Sequence, residues 1–487
     1  METITIKHIN ESNVGLLCNP GVIRELSDAF SFRVPGYRFQ PKFKAGIWDG
    51  YIRLINARTH MMPKGLVPHL VNKSTELGYK VKFEEGFVDR FKEDIELDLS
   101  KYNLKFPPRD FQEKALATFF RKKRSIVISP TGSGKSFIVY LAMRALLDHV
   151  EEGQILIMVP RVGLVRQIFS DFEDYAVNDS WNASDDVVAC ESKQDRLSSK
   201  RVIISTWQGL QHMPKNYFER FIGIIGDEVH EYEAKVGSTV LNNCSNAFYR
   251  LGLTGTLKDA KTHELALTGS FGPAVQVIET HELMERGTLA DLDITALILK
   301  YQDVGSINSK TKYQEEVDWV VRNEKRLTFT AKLAANCTGN TLVLFNFVEK
   351  HGKPLHEKIQ EVAKGKEVYF VYGGTDSDQR ERVRKLAESK NNVIIIASYG
   401  TFSTGINIVN IKNIILASPT KGKIRLLQSI GRGLRRSDAK QLCKLFDIVD
   451  DVRGKRKALN YCMKHFKERY DIYVRQKFKV KIKQLTI

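Results

Sequence analysis

The sequence predicts an α/β protein: two tandem parallel-sheet domains, a small α+β domain in front and a basic C-terminal helix behind. Three observations carry this. Short, continuously apolar runs alternate with helical patterns from about residue 101, as strands covered on both faces do. The alternation restarts near Thr341. Pro107-Pro108 breaks the chain ahead of the first run. The expected domains are 1–100, 101–290, 291–452 and a tail, 453–487.

Residues 1–100 read as short strands with at least one helix, Leu66–Leu77. The first alternating stretch offers strands at Ser125–Ser129, Ile155–Val159, Val202–Ser205, Ile222–Ile225 and Arg250–Leu253. Helical patterns lie between them, as at Phe137–Asp148 and Gly163–Tyr175. The second stretch offers Thr341–Phe345, Glu367–Val371, Asn392–Ala397, Asn413–Ala417 and Leu442–Ile448. The tail reads as a helix, Lys457–Tyr473. Leu459, Met463, Phe466, Tyr470 and Tyr473 form an apolar stripe on it that docks on the second domain, with its lysines outward. KFKVKIK (477–483) then alternates at strand period.

The chain has 487 residues, 42% hydrophobic and 27% charged, which describes a core-forming protein and not a disordered one. Its six cysteines are scattered, without C-x-x-C or a nearby His pair. That argues against a disulfide framework or a zinc site and fits a reducing cytosol. The first residues lack a signal-peptide layout, and no apolar run suits a bilayer span. The net charge of +18 points to a polyanion as partner; an anionic membrane surface would also serve, but it usually needs an amphipathic anchor or a lipidation motif, and no lipidation motif is present, so no membrane partner is expected. Residues 31–64 hold seven Lys/Arg against Asp49 alone, and residues 453–487 hold twelve against two acids.

Three motifs carry chemistry. SPTGSGKS (129–136) follows a strand and opens a helix, the setting of a phosphate-binding loop. Ser129 stands where the first glycine is expected. Gly132 and Gly134 let backbone N–H groups approach phosphate oxygens, with Pro130, Thr131 and Ser133 completing the loop. Lys135 brings charge to the phosphates, and Ser136 suits Mg²⁺ at the positive end of a helix. The alternative is a Gly/Ser-rich turn with a solvated lysine. GDEVH (226–230) follows an apolar strand, so Asp227 suits a metal and Glu228 the attacking water; solvated acids at a strand end are the alternative. In QSIGRGLRR (428–436), Arg432 and Arg435 share a helical face and suit the charge that develops on a transferred phosphoryl group. A basic helix on DNA is the other reading.

With PRDFQ (108–112), VPRVGLVRQ (159–167), STWQG (205–209), LTGT (253–256) and ASYGTFSTGINI (397–408), these motifs resemble superfamily 2 helicases of the DExH type. The resemblance implies two RecA-like domains, ATP and Mg²⁺ as cofactors, and Ser129 as an ordinary variant. It also implies that Arg109 and Gln112 meet the adenine. His230, Thr254 and Thr256 would couple ATP state to strand movement. Gly405 would sit near the nucleotide, and Gln428, Arg432 and Arg435 would close the cleft between the domains. Arg161, Thr206 and Gln208 match nucleic-acid positions, although Arg161 replaces a commoner threonine. FKAGIWDGYIRL (43–54) and GLVPHL (65–70) extend the resemblance to recombination helicases of T-even bacteriophages. These act on forks, Holliday junctions and R-loops in the bacterial cytoplasm. With this go the expectations of branched or single-stranded DNA as partner, RNA within R-loops, single-strand-binding or recombination proteins, and action as a monomer. The rival readings are an RNA-directed helicase and an annealing protein.

Residues 31–64 interleave rings with charge. Arg33, Arg38, Lys42, Lys44 and Arg53 suit phosphates, and exposed rings would stack on bases. Phe32, Tyr37, Phe39, Phe43, Trp48 and Tyr51 read equally as the core of a small β-rich domain. Trp48 reads as a core plug or as a wedge at a fork.

Overall fold

The computed structural model describes residues 2–34, 36–87, 95, 97–232, 234–257, 264–305, 307, 311–404, 410–419, 442–454 and 458–487. It divides into two compact units. Residues up to 129 with 134–277 form one, and 130–133 with 278–487 the other.

The first unit opens with a four-stranded sheet, ordered Met61–Pro63, Asn13–Leu17, Thr3–His8, Lys80–Phe83. TITIKH alternates, so Ile4 and Ile6 point into the core while the threonines stay partly exposed. Two helices, Pro20–Ala29 and Val67–Glu76, accompany this sheet, and Asn19 caps the first by accepting from Gly21 N at 2.8 Å. A separate hairpin pairs Ser31–Arg33 with Tyr51–Arg53. The reading of the 32–51 rings as core is corrected here. None of the six is buried, and the core is built from Ile4, Val14, Leu26, Ile55, Met62 and their neighbours. Tyr37 and Tyr51 pack instead on Arg33 of the hairpin's first strand.

This small domain is seated on the starts of two strands of the following sheet. Glu11 receives Lys64 Nζ at 2.6 Å and Arg124 Nη2 at 3.1 Å, all nearly buried. Arg250 Nη2 donates to Ser12 Oγ at 2.7 Å. Gly65 lies so close to Thr268 that a Cβ there would stand 2.1 Å from its carbonyl oxygen.

That second sheet has seven strands, ordered Ala274–Gln276, Arg124–Ile128, Tyr249–Thr254, Phe221–Gly226, Gln154–Val159, Val202–Thr206, Val187–Ala189. Every pair in it is parallel. Gln154–Val159 and Val202–Thr206 are buried at every residue, which is why they read as unbroken apolar runs.

The second unit holds another seven-stranded parallel sheet, ordered Val368–Val371, Ile394–Ser398, Thr341–Phe345, Asn413–Leu416, Leu442–Asp451, Asp291–Lys300, Lys479–Thr486. Asp291–Lys300 escaped the sequence reading, and the alternating tail proves to be the edge strand beside it. The tail helix runs Tyr461–Arg475. Cys462, Phe466 and Tyr473 are buried, whereas Tyr470 is exposed. Arg469 points inward and pairs with Asp447 at 2.8 Å, and Glu316 accepts from the N–H groups of Tyr461 and Cys462 that open the helix. All six cysteines are free thiols. Among the described residues, no helix is long and apolar enough to cross a membrane.

Candidate nucleotide and nucleic-acid site

Five motifs end up on one edge of the first parallel sheet, because five parallel strands carry them at their C-terminal ends. Arg124–Ile128 leads into SPTGSGKS and Gln154–Val159 into PRVGL. Val202–Thr206 leads into WQG, Phe221–Gly226 into DEVH, and Tyr249–Thr254 into GT. This is the edge where open parallel sheets bind ligands.

Gly132 and Gly134 take φ of +86° and +82°, a region that suits glycine. Ser129 is not among the positive-φ residues, so its side chain carries no backbone strain there. It is buried, and its N–H donates to Thr254 O at 2.9 Å. Lys135 begins the helix Lys135–His149. Its Nζ donates to Ser129 O at 3.3 Å and stands 3.7 Å from Glu228 Oε1. Gln112, buried, accepts from Arg109 N at 2.9 Å and reaches Gly134 O at 3.5 Å. It thereby ties the PRDFQ segment to the loop, while Arg109 is exposed. Ser136 Oγ lies 2.9 Å from Tyr175 Oη, a partner no motif announced.

Burial, with the Glu228 carboxylate beside it, pushes the Asp227 carboxyl up to about 7, against the pull of Lys135. Its Oδ1 is buried and accepts no hydrogen bond from the described residues. A buried, unmatched carboxylate oxygen fits a divalent cation. Mg²⁺ is typically held by one or two carboxylates together with substrate phosphates. Among the described residues, no group of three or more His, Cys, Asp or Glu side chains is arranged to hold a metal ion. Glu228 adopts φ 46°, ψ 46°, a left-handed conformation that costs a non-glycine residue and clusters at functional sites.

From Glu228 a chain of contacts leads away. His230, buried, sits with Nδ1 3.2 Å from Glu228 Oε2 and 2.9 Å from Thr254 Oγ1. Thr254 Oγ1 donates to Thr256 O at 2.8 Å. The three expected coupling residues are thus joined, across a sequence gap that no spacing rule spans.

The expected nucleic-acid residues divide. Gln208 is exposed beside Thr206, whose side chain is buried and accepts from Gly209 N at 3.2 Å. Arg161 Nη2 pairs with Glu231 at 2.9 Å, a residue the sequence reading passed over although it follows DEVH directly. Arg33 lies between the rings of Tyr37 and Tyr51, at 4.8 and 4.7 Å. Arg38 Nε donates to Tyr37 Oη, Lys42 and Lys44 are exposed, and Arg53 pairs with Asp49 at 2.7 Å. Trp48 is half-buried and donates its indole N–H to Tyr51 O at 2.7 Å. Gly405, Gln428, Arg432 and Arg435 lie outside the described residues.

Three family descriptions match the chain: "DNA helicase UvsW, N-terminal" over residues 3–84, "Type III restriction enzyme, res subunit" over 105–259, and "Helicase conserved C-terminal domain" over 324–437. The ATP-dependent DNA helicase uvsW of Enterobacteria phage T4 is 34% identical over 98% of both chains. The crystal structure of T4 UvsW superposes with a TM-score of 0.50 at 31% identity, covering 99% of each chain. A fragment of a type I restriction enzyme HsdR subunit from Vibrio vulnificus YJ016 gives 0.57 at 18% identity, over 81% of this chain and 72% of that one, and shares the fold.

Proposed function

The chain belongs to the family of the phage T4 ATP-dependent DNA helicase uvsW, and on that premise we propose that it couples ATP hydrolysis to the unwinding or remodelling of branched DNA. Forks, Holliday junctions and R-loops in phage recombination, repair and replication, inside the host cytoplasm, are the substrates and setting of this reading. The observation that supports it is the convergence of phosphate loop, acidic pair and coupling threonines on one sheet edge.

In this reading, Lys135 and the loop N–H groups hold the phosphates, and Asp227 and Ser136 hold Mg²⁺. When bound, that ion neutralises charge on the β- and γ-phosphate oxygens. Ser136, whose hydroxyl lies beside Tyr175 Oη, would be its hydroxyl ligand. Glu228 orients the attacking water, and Lys135 holds the glutamate in place until phosphate arrives. Movement of Glu228 is passed by His230 to Thr254, the last residue of the strand next to the phosphate-loop strand, and on to Thr256 just beyond it. Arg432 and Arg435 supply positive charge to the transition state. We assign DNA recognition to residues 1–100, ATP binding to 101–290, the second helicase domain to 291–452 and its basic flank to 453–487.

The test is ATP turnover with Mg²⁺ in four conditions: no nucleic acid, single-stranded DNA, a four-way DNA junction, and RNA. Stimulation by DNA, with junction unwinding abolished in Glu228→Gln, is the expected result. Stimulation by RNA alone would move the substrate to RNA, and turnover retained by Lys135→Ala would remove the assignment of the ATP site to this loop.

A further inference from the structure

The N-terminal hairpin carries an excursion between its strands, residues 36–48, whose surface is unusual. Phe39 is 82% exposed and Ile47 77% exposed, the two most exposed large hydrophobic residues among those described. Single exposed apolar residues are ordinary. Here, however, two sit on one short excursion, and the structure beneath them is built to hold their segment in place.

The other rings of the segment form that support. Arg33 lies between Tyr37 and Tyr51, Tyr37 meets Phe43 edge-on at 4.7 Å, and Trp48 is anchored to Tyr51 O. Gly36, Gly46 and Gly50 take φ of +70°, +69° and +85°, and a Cβ on Gly50 would stand 2.6 Å from the Tyr37 ring. Phe39 N–H donates to Gly36 O and Ile47 N–H to Lys42 O, at 2.9 and 3.0 Å. Both tips therefore project from a backbone fixed by turns and by internal ring–cation contacts. Phe39 and Ile47 are left out of that packing.

The charge around them selects the occupant. Between the two strands there are three cations, Arg38, Lys42 and Lys44, and one carboxylate, Asp49, which is paired with Arg53 at 2.7 Å. Exposed apolar side chains on a segment that also exposes Arg38, Lys42 and Lys44 fit an unstacked base step between phosphates. Apolar wedges of Phe and Ile are side chains that proteins insert at such steps. We propose that Phe39 and Ile47 insert at the branch point of a DNA junction and hold the bases there apart, with Lys42 and Lys44 on the flanking phosphates. This rests on the DNA-helicase reading and deepens it. Trp48, which the sequence offered as a core plug or a wedge, is half-buried and anchored to Tyr51 O, and in this proposal it belongs to the scaffold.

The test uses the full chain without nucleotide and a four-way DNA junction carrying 2-aminopurine at the branch. The wild type is expected to raise the probe's fluorescence on binding. Phe39→Ser combined with Ile47→Ser is expected to abolish that rise and to lower the preference for branched over linear DNA roughly tenfold, in line with loss of stacking on one base. Because both side chains are exposed, thermal unfolding and turnover in the absence of DNA are expected to stay unchanged. Normal DNA-stimulated turnover with an undiminished fluorescence rise in the variant would overturn the wedge alone, even if the variant had lost affinity for another protein. No stimulation of the wild type by any DNA would overturn the helicase reading and the wedge with it.

Discussion

Lys135 is poised between Ser129 O and Glu228 Oε1, so an arriving phosphate competes with both for one ammonium. Lys135→Ala should lower ATP turnover about 10²–10³-fold or more, the usual effect of removing a preorganised charge-stabilising donor, while DNA affinity stays near wild type. Steady-state kinetics beside a DNA-binding titration would separate the two. Glu228→Gln should slow hydrolysis by about 10²–10⁴ and leave nucleotide binding in place. His230→Ala should behave differently. It breaks the contact to Thr254 and leaves the phosphate loop untouched, so DNA-stimulated turnover should persist while unwinding falls. Parallel loss of both would show that His230 only supports Glu228. Ser129 was legible at this scale: the loop's left-handed glycines, at 132 and 134, are the two the sequence retains.

At the scale of elements, buried ion pairs decide what docks on what. Burial works against the Glu11 carboxylate, but Lys64 and Arg124 prevail and hold its pKa below the ordinary value of 4.5. A carboxylate with a depressed folded pKa contributes stability that is complete above the unfolded value and lost as pH falls through the folded one. The stability of the first unit should therefore fall on acidification below about pH 4.5. Glu11→Ala should lower stability at pH 7 by about 3–5 kcal/mol and flatten that acid dependence. Denaturant titrations at pH 7 and pH 4 would check it. In the second unit, Arg326 and Asp450 pair at 2.7 Å with both side chains fully buried. Asp450→Ala should cost about 3–5 kcal/mol there, because it leaves the guanidinium buried and unmatched. None of these partners is near its mate in sequence, so no periodicity reveals them. The tail strand is a further case. Its lysine alternation was legible, but its place at the sheet edge was not, and lysines on an edge strand discourage pairing with other chains.

For the whole molecule, the +18 charge makes DNA affinity a salt-dependent quantity. If six to ten phosphates are contacted, affinity should fall about 10³–10⁵-fold between 50 and 200 mM salt, and a shallow slope in a binding series would mean far fewer contacts. The tail contributes less to that charge than its composition suggests, since Arg469 is buried against Asp447. The sequence by itself determined the two parallel sheets and the strands that carry the motifs, and it singled out Lys135, Asp227 and Glu228 as the candidates for the chemistry. Buried strands and phosphate loops are local patterns, written in consecutive residues. Tertiary structure alone decided that His230 meets Thr254, that Ser136 meets Tyr175, and that Glu11 receives two cations from distant segments. It also decided which rings of the hairpin support and which project, for a ring's sequence neighbours do not reveal whether another element covers it. Burial and pairing across long loops depend on where the whole chain closes, and local pattern carries no record of that closure.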